Sequence, residues 1–194
     1  MGGEVDVAQQ HDARTPFEIF TVDGLYDDAE IQEFFRYIRQ DCGDAKKFSH
    51  ESEFKNGKVL DPATASKMYD KIKAVLPGVY VDATGVEWTF EGPCRYVMFA
   101  EIHEGQLFGI HTDTGSDYDR DTGAMSKFTV LTYLNDGFSG GHTVFYDDHF
   151  RRTVDVTPVR NRTLIFDIDL FHSGQPVESG TKYWIGTELV CRRK

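Results

Sequence analysis

From about residue 79 to residue 194 the chain breaks into short runs, and this rhythm limits the fold more than any other feature. The runs span 80–90, 94–103, 106–112, 127–135, 142–147, 151–157, 163–168 and 181–191. Each is rich in Val, Ile, Phe, Tyr or Thr and is bounded by turn-forming residues. Eight candidate strands with no helical period between them predict an all-β barrel or double-sheet sandwich.

Upstream the pattern differs. Residues 1–15 are small and polar without periodicity and read as a loose arm. Order is expected from Pro16, because Phe17 to Val22 alternates apolar and polar. Asp27 or Asp28 then offers a cap for a helix whose stripe is Ile31, Phe34, Phe35 and Ile38. Residues 41–60 read as a loop with at most a short strand. Asp61-Pro62 opens a second helix with Met68, Ile72, Val75 and Leu76 as its stripe, stopped by Pro77-Gly78. Helices followed by strands lack the alternation of a parallel α/β sheet. The expected organisation is one domain over 16–194, with helical support at 16–78 and a β core at 79–194.

Composition narrows the function. The 194 residues carry 21 basic and 32 acidic side chains, a net charge of −11. The excess is spread along the chain, with 11 basic against 18 acidic groups in residues 1–100 and 10 against 14 beyond. Such a chain lacks the basic footprint of a nucleic-acid or anionic-membrane binder. No apolar run approaches the ~20 residues that span a bilayer, and MGGEVDVAQQHDAR has no signal-peptide pattern. A cytoplasmic protein is expected, with Cys42, Cys94 and Cys191 as reduced thiols because no C-x-x-C pair occurs.

Two places carry chemistry. His111-Thr112-Asp113 ends one predicted strand, where side chains two apart share a face and aim at one point. Phe171-His172-Ser173-Gly174 lies about 60 residues on, before the last strand. Two imidazoles and a carboxylate on one face of a metal form the facial triad of non-haem Fe(II) sites, which leaves three positions open. Ten residues past His172 stands Lys182, in an apolar strand. A buried lysine is costly without an anionic partner. Alternation puts Lys182, Trp184 and Gly186 on one face and Tyr183, Ile185 and Thr187 on the other. On the interior face a dicarboxylate would supply the missing charge.

Five pieces then fall in order: Gly105 to Asp113, Leu131-Thr132-Tyr133-Leu134-Asn135, Ser139-Gly140-Gly141-His142-Thr143-Val144-Phe145, Leu164-Ile165-Phe166 through His172, and Pro176 to Tyr183. Together, over about residues 94–191, they resemble the 2-oxoglutarate- and Fe(II)-dependent oxygenases, specifically the prolyl 4-hydroxylase-like branch. The resemblance implies a double-stranded β-helix (jelly roll) with buttressing helices. It implies Fe(II), 2-oxoglutarate and O2, with ascorbate as an optional reductant. His111, Asp113 and His172 would be the iron ligands, and Lys182 and Tyr133 would hold the far carboxylate of 2-oxoglutarate. Thr143, after the Gly-Gly turn, would line the same pocket. The branch often has a tyrosine where this chain has Ile102, so Tyr96 or Arg95 is expected to complete the contacts. Asp113 favours hydroxylation, because related halogenases lack the carboxylate ligand. The products would be a hydroxylated peptide or small molecule, succinate and CO2, with a lean toward prolyl or peptidyl substrates.

Phe108 and Trp184 are the expected substrate wall, alongside a plain core role for the same rings. His11, His50, His103, His142 and His149 read as solvated or hydrogen-bonded, and Asp147-Asp148 as a turn. Asp117, Asp119 and Asp121 lack the Gly and closing Glu of a calcium loop and read as part of a mobile acidic loop, 114–126, at the mouth of the site. The rival function is a non-redox, cupin-like metal-binding barrel, a ligand-binding module or isomerase. The lysine after the distal histidine distinguishes the two.

Overall fold

A computed structural model of the chain describes residues 19–40, 55–82 and 84–194. The expected arm at 1–15, residues 16–18 of the first strand, Cys42 and most of the predicted loop (41–54) lie outside the described residues. The described part is mostly strand, in the curled antiparallel sheets of a jelly roll, with two helices.

The first strand, β1 (Ile19–Asp23), leads into helix α1 (Asp28–Gln40). Asp27 and Glu30 cap this helix reciprocally: the Glu30 amide donates to Asp27 Oδ1 at 2.9 Å and the Asp27 amide to Glu30 Oε2 at 2.8 Å. Ile31, Phe34 and Ile38 form its buried face. Strand β2 (Lys55–Leu60) follows, then α2 (Pro62–Ile72). Asp61 caps α2 by accepting the Thr64 amide at 3.0 Å, with Pro62 in the first turn. Ala65, Met68 and Ile72 are buried; Val75 and Leu76 pack on the core from beyond the helix end.

The remaining strands are β3 (Tyr80–Val81), β4 (Glu87–Pro93), β5 (Tyr96–His103), β6 (Phe108–His111), β7 (Met125–Tyr133), β8 (Ser139–Gly140) and β9 (Thr143–Tyr146). Then come β10 (Arg152–Val156), β11 (Arg162–Asp167), β12 (His172–Gly174), β13 (Val177–Ser179) and β14 (Thr181–Arg193). The larger sheet runs β1-β11-β7-β14-β4-β3, with β5 also on β14 and β2 on β5. The smaller runs β10-β9-β12-β6, and β8 pairs with β13. Strand β14 is the spine: β7 pairs along one side, and β5 and then β4 along the other.

Alternation divides the large sheet. Val97, Phe99, Phe128, Val130, Ile185 and Leu189 face the helices and share one core with Ile31, Ile38, Met68 and Ile72. Leu131, Tyr133, Leu164 and Phe166 face the other way and meet Phe145 of the small sheet. The site lies in the space between the sheets.

Some predicted elements differ. The run 80–90 splits into β3 and β4, because the Asp82 carboxylate accepts the Thr84 amide at 2.9 Å, the Val86 amide at 3.0 Å and Trp88 Nε1 at 2.9 Å. These bonds stabilise a turn. Residues 55–60 pair with β5 as a full strand. Residues 117–126 fold back on themselves: the Ser126 amide donates to Asp117 O at 2.9 Å and the Gly123 amide to Asp119 O at 2.8 Å. The greater part of the predicted acidic loop is therefore a hydrogen-bonded hairpin. Asp147 accepts the His149 and Arg151 amides, each at 2.9 Å, which makes it a turn residue as expected. No helix among the described residues is long and apolar enough to cross a membrane.

Gly186 marks the tightest point of the spine, since a Cβ there would stand 2.2 Å from the carbonyl oxygen of Val130. Gly186→Ala should destabilise the fold by about 2 kcal/mol or more, lowering Tm by roughly 5 °C. Gly78→Ala, with open space around it, should leave Tm unchanged; thermal denaturation compares the two.

Candidate active site

His111 ends β6 and His172 begins β12, and antiparallel pairing sets them directly opposite each other. Their rings lie 4.3 Å apart between centroids. Asp113 follows two residues after His111, its amide donating to Ile168 O at 3.0 Å. One ligand atom from each of the three residues lies within 4.8 Å of the others. His111 Nε2 is 3.4 Å and His172 Nε2 3.8 Å from Asp113 Oδ1.

The surroundings prepare these atoms for a cation. His111 Nδ1 donates to Gly109 O at 2.8 Å and His172 Nδ1 to Leu170 O at 3.0 Å. With Nδ1 carrying the proton, each Nε2 presents a lone pair. Burial pushes the His172 pKa down, against the opposing charge of Asp113, so the ring is held neutral. Thr129 Oγ1 donates to Asp113 Oδ2 at 2.5 Å. One carboxylate oxygen is thus occupied and the other faces the imidazoles. Burial alone would raise the Asp113 pKa; the neighbouring His111 and His172 rings and the bond from Thr129 together hold it low.

Across the same cavity Lys182 is 3% exposed. Its Nζ donates to Gly141 O at 2.5 Å and sits 5.0 Å from the centre of the Tyr133 ring. Among the described residues no carboxylate stands within ion-pair distance of it. Burial pulls its pKa down to about 7. A buried ammonium with no counter-charge carries a desolvation penalty.

The inner cavity, of about 100 Å³, holds the three metal-competent side chains at one end and Lys182 at the other. Thr129, Leu131, Thr143, Phe166, Trp184 and Phe108 line it. A wider cleft of about 950 Å³ lies outside and is lined by Lys58 to Leu60, Tyr96 and residues 112–116. Met98, Phe108, His111 and Asp113 border both spaces.

The expected site residues therefore gather unevenly. His111, Asp113, His172, Lys182, Thr143, Phe108 and Trp184 line the inner cavity, and Tyr96 lines the outer cleft. Tyr133 does not line it. The ring lies behind, fully buried, with its hydroxyl 2.8 Å from Thr143 Oγ1, so Thr143 stands between it and the cavity. Arg95 lines neither space, because its side chain reaches out to Asp117 Oδ1 at 3.0 Å. The lining also includes Ile102, the position where the branch often has a tyrosine, and Asn56, Met98 and Thr129, which the motif reading did not single out. Thr129 could have been found, since β7 alternation puts it on the face of Leu131 and Tyr133. Asn56 could not, because nothing local marks Lys55–Leu60 as the neighbour of β5.

Comparison with known proteins agrees with this geometry. Residues 97–187 match the family model described as the 2OG-Fe(II) oxygenase superfamily. A search of the curated proteins finds no match. Among solved structures the chain is similar to a viral collagen prolyl hydroxylase from Paramecium Bursaria Chlorella virus-1 in its 2OG complex, at 19% identity and TM-score 0.57, covering 89% of this chain and 96% of that one. A prolyl-4-hydroxylase from Pseudomonas putida gives 16% identity and TM-score 0.59, covering 91% and 93%. A prolyl hydroxylase from Trichoplax adhaerens, solved with a hypoxia inducible factor peptide fragment, gives 16% and 0.62, covering 89% and 83%. At these identities the likeness is one of fold.

The depressed Lys182 pKa has a stability consequence. Between about pH 7 and 10.5 the unfolded chain holds a proton on this lysine that the folded chain lacks, so folding stability rises with pH across that window. Below pH 7 the full penalty remains. Lys182→Met should raise the Tm of the ligand-free protein at pH 7 by several degrees, about 1–3 kcal/mol, and flatten its rise toward pH 10. Thermal melts of both proteins across that range check it.

Proposed function

We propose that the chain, whose residues 97–187 match the model of the 2OG-Fe(II) oxygenase superfamily, hydroxylates a C–H bond in a peptide held in the outer cleft, with a prolyl residue the favoured target. The observation that carries this reading is the buried Lys182 ammonium, without a carboxylate partner, in one cavity with His111, Asp113 and His172.

The residues present fit the family's cofactors. Two Nε2 lone pairs and one free carboxylate oxygen form an N,N,O donor set suited to Fe(II). Lys182, beside Thr143, fits the far carboxylate of 2-oxoglutarate. Iron and 2-oxoglutarate, when bound, supply the oxidising chemistry, in which 2-oxoglutarate and O2 yield succinate, CO2 and one oxygen atom for the substrate C–H bond.

The chain's own residues do the rest. The Nδ1 bonds to Gly109 and Leu170 fix both rings, and Thr129 holds the carboxylate to a single outward oxygen. Lys182 contributes charge as a point donor rather than a fork. Tyr133 supports it from below with its ring and orients Thr143 through its hydroxyl. Leu131, Phe166, Ile102 and Trp184 exclude water from the space between. Phe108 and Met98 stand where the cavity opens into the cleft, so a substrate laid in the cleft meets the metal end first. That cleft has room for a polypeptide segment, several times more than one amino acid needs.

Wild-type protein with Fe(II), O2 and 2-oxoglutarate should form succinate, and His111→Ala should not; equal turnover in both would refute the reading. Proline-containing peptides should gain 16 Da by mass spectrometry, whereas free amino acids should not. Lys182→Met should raise the KM for 2-oxoglutarate about 100-fold, the loss of a buried charge partner.

The pH behaviour gives a separate check. An anion beside Lys182 moves its pKa back up, so above about pH 7 binding takes up a proton and weakens by as much as tenfold per pH unit. Calorimetry at pH 8 in two buffers of different ionisation enthalpy should show uptake approaching one proton for wild type and none for Lys182→Met.

A further inference from the structure

The turn joining β11 to β12, residues 167–171, bonds to two of the three metal-competent residues, to Asp113 through its backbone amide and to His172 through its ring. Ile168 O accepts the Asp113 amide at 3.0 Å, and Leu170 O accepts His172 Nδ1 at 3.0 Å. Whatever holds this turn therefore sets the aim of both side chains. Its backbone is only partly self-sufficient: the Leu170 amide reaches Asp167 O at 3.2 Å and the Ile168 amide reaches Lys127 O at 3.1 Å.

A charged cluster on the far side completes the grip. Lys127 is 8% exposed and Asp167 7% exposed. Lys127 Nζ lies 2.9 Å from Asp169 Oδ2 and 3.5 Å from Asp167 Oδ2. The Tyr80 hydroxyl donates to Asp167 Oδ2 at 3.0 Å, and Asp167 Oδ1 takes the Asp169 amide at 2.9 Å. Both oxygens of the Asp167 carboxylate are thus used, and Lys127 ties the first half of the turn, Asp167 to Asp169, to β7. The same strand carries Thr129, which holds Asp113 Oδ2. A buried ion pair contributes little net stability compared with apolar residues of the same size. Its presence here is better accounted for by geometry than by stability.

We propose that Lys127, with Asp167, Asp169 and Tyr80, is a positioning device that fixes the 167–171 turn and through it the orientation of Asp113 and His172 toward the metal. The metal part rests on the reading of the site given above; the positioning of the turn does not. Outer contacts of this kind are worth 10–100-fold in metal affinity.

The test uses two readouts on full-length protein. In metal-stripped protein, amide exchange followed by NMR should speed about tenfold at Asp113 in Lys127→Met, with sheet-centre amides such as Thr132 and Thr163 unchanged. Co(II) titration should show Kd raised about tenfold in Lys127→Met, less in Asp169→Asn, with Lys127→Arg recovering most of the loss. Asp169 is 77% exposed at its side chain, so Asp169→Asn and Tyr80→Phe decide the matter if Lys127→Met fails to fold. Unchanged Asp113 exchange in all variants, or exchange that speeds equally everywhere, would overturn the device. Absence of Co(II) binding in wild type would sink the reading of the metal site, and the exchange data would still judge the clamp.

Discussion

One ammonium group inside the molecule, with a peptide carbonyl and an aromatic face as its contacts, sets the terms for everything else. Lys182 cannot swing out to solvent. It sits on the spine strand, opposite Ile102 of β5, and alternation leaves it no direction but inward. A neutral lysine at this place would be tolerable and a charged one is costly, and the fold keeps it near the boundary between the two. A carboxylate placed beside it would relieve that penalty.

The opposite end of the cavity follows from strand pairing. Antiparallel register places His111 and His172 side by side although 60 residues separate them, and the chain beyond β6 brings Asp113 round to the same point. No side chain there is left to find its own orientation. Each imidazole is tied by a carbonyl two residues away in sequence, and Thr129 of the large sheet reaches across to the carboxylate. The two sheets thus meet at the site, so a change in their spacing is felt there before anywhere else.

How much of this could be read from the chain depended on how local each signal is. The helices were legible because caps and apolar stripes lie within one element, as with Asp61, Met68 and Ile72. The long strands were legible for the same reason. The three-residue β12 was not: it contains Ser173 and Gly174, poor strand formers, and exists because β6 and β9 flank it. His111, Asp113 and Lys182 stood out because their residue types are costly or chemically specific where they lie. Thr143 lines the cavity and the Tyr133 ring lies behind it, a difference in depth that the face of a strand does not reveal. The Arg95 pairing is hidden for a related reason: its partner, Asp117, lies in a hairpin whose fold depends on Asp119 and Gly123 rather than on any strand pattern.

The division of the large sheet into two faces explains how the molecule tolerates so polar an interior. On the helix side, Phe128, Val130, Phe99, Ile185 and Leu189 are all but inaccessible to solvent and interlock with the apolar stripes of α1 and α2. Apolar burial of that kind scales with area and needs no particular geometry, so one face can stabilise strands whose other face is spent on Thr129, Thr143's partner Tyr133, and Lys182. The helices need never touch the chemistry to be required by it. Remove their contribution and the strands most exposed to the loss are β7 and β14, the same two that carry the threonine behind Asp113 and the buried lysine.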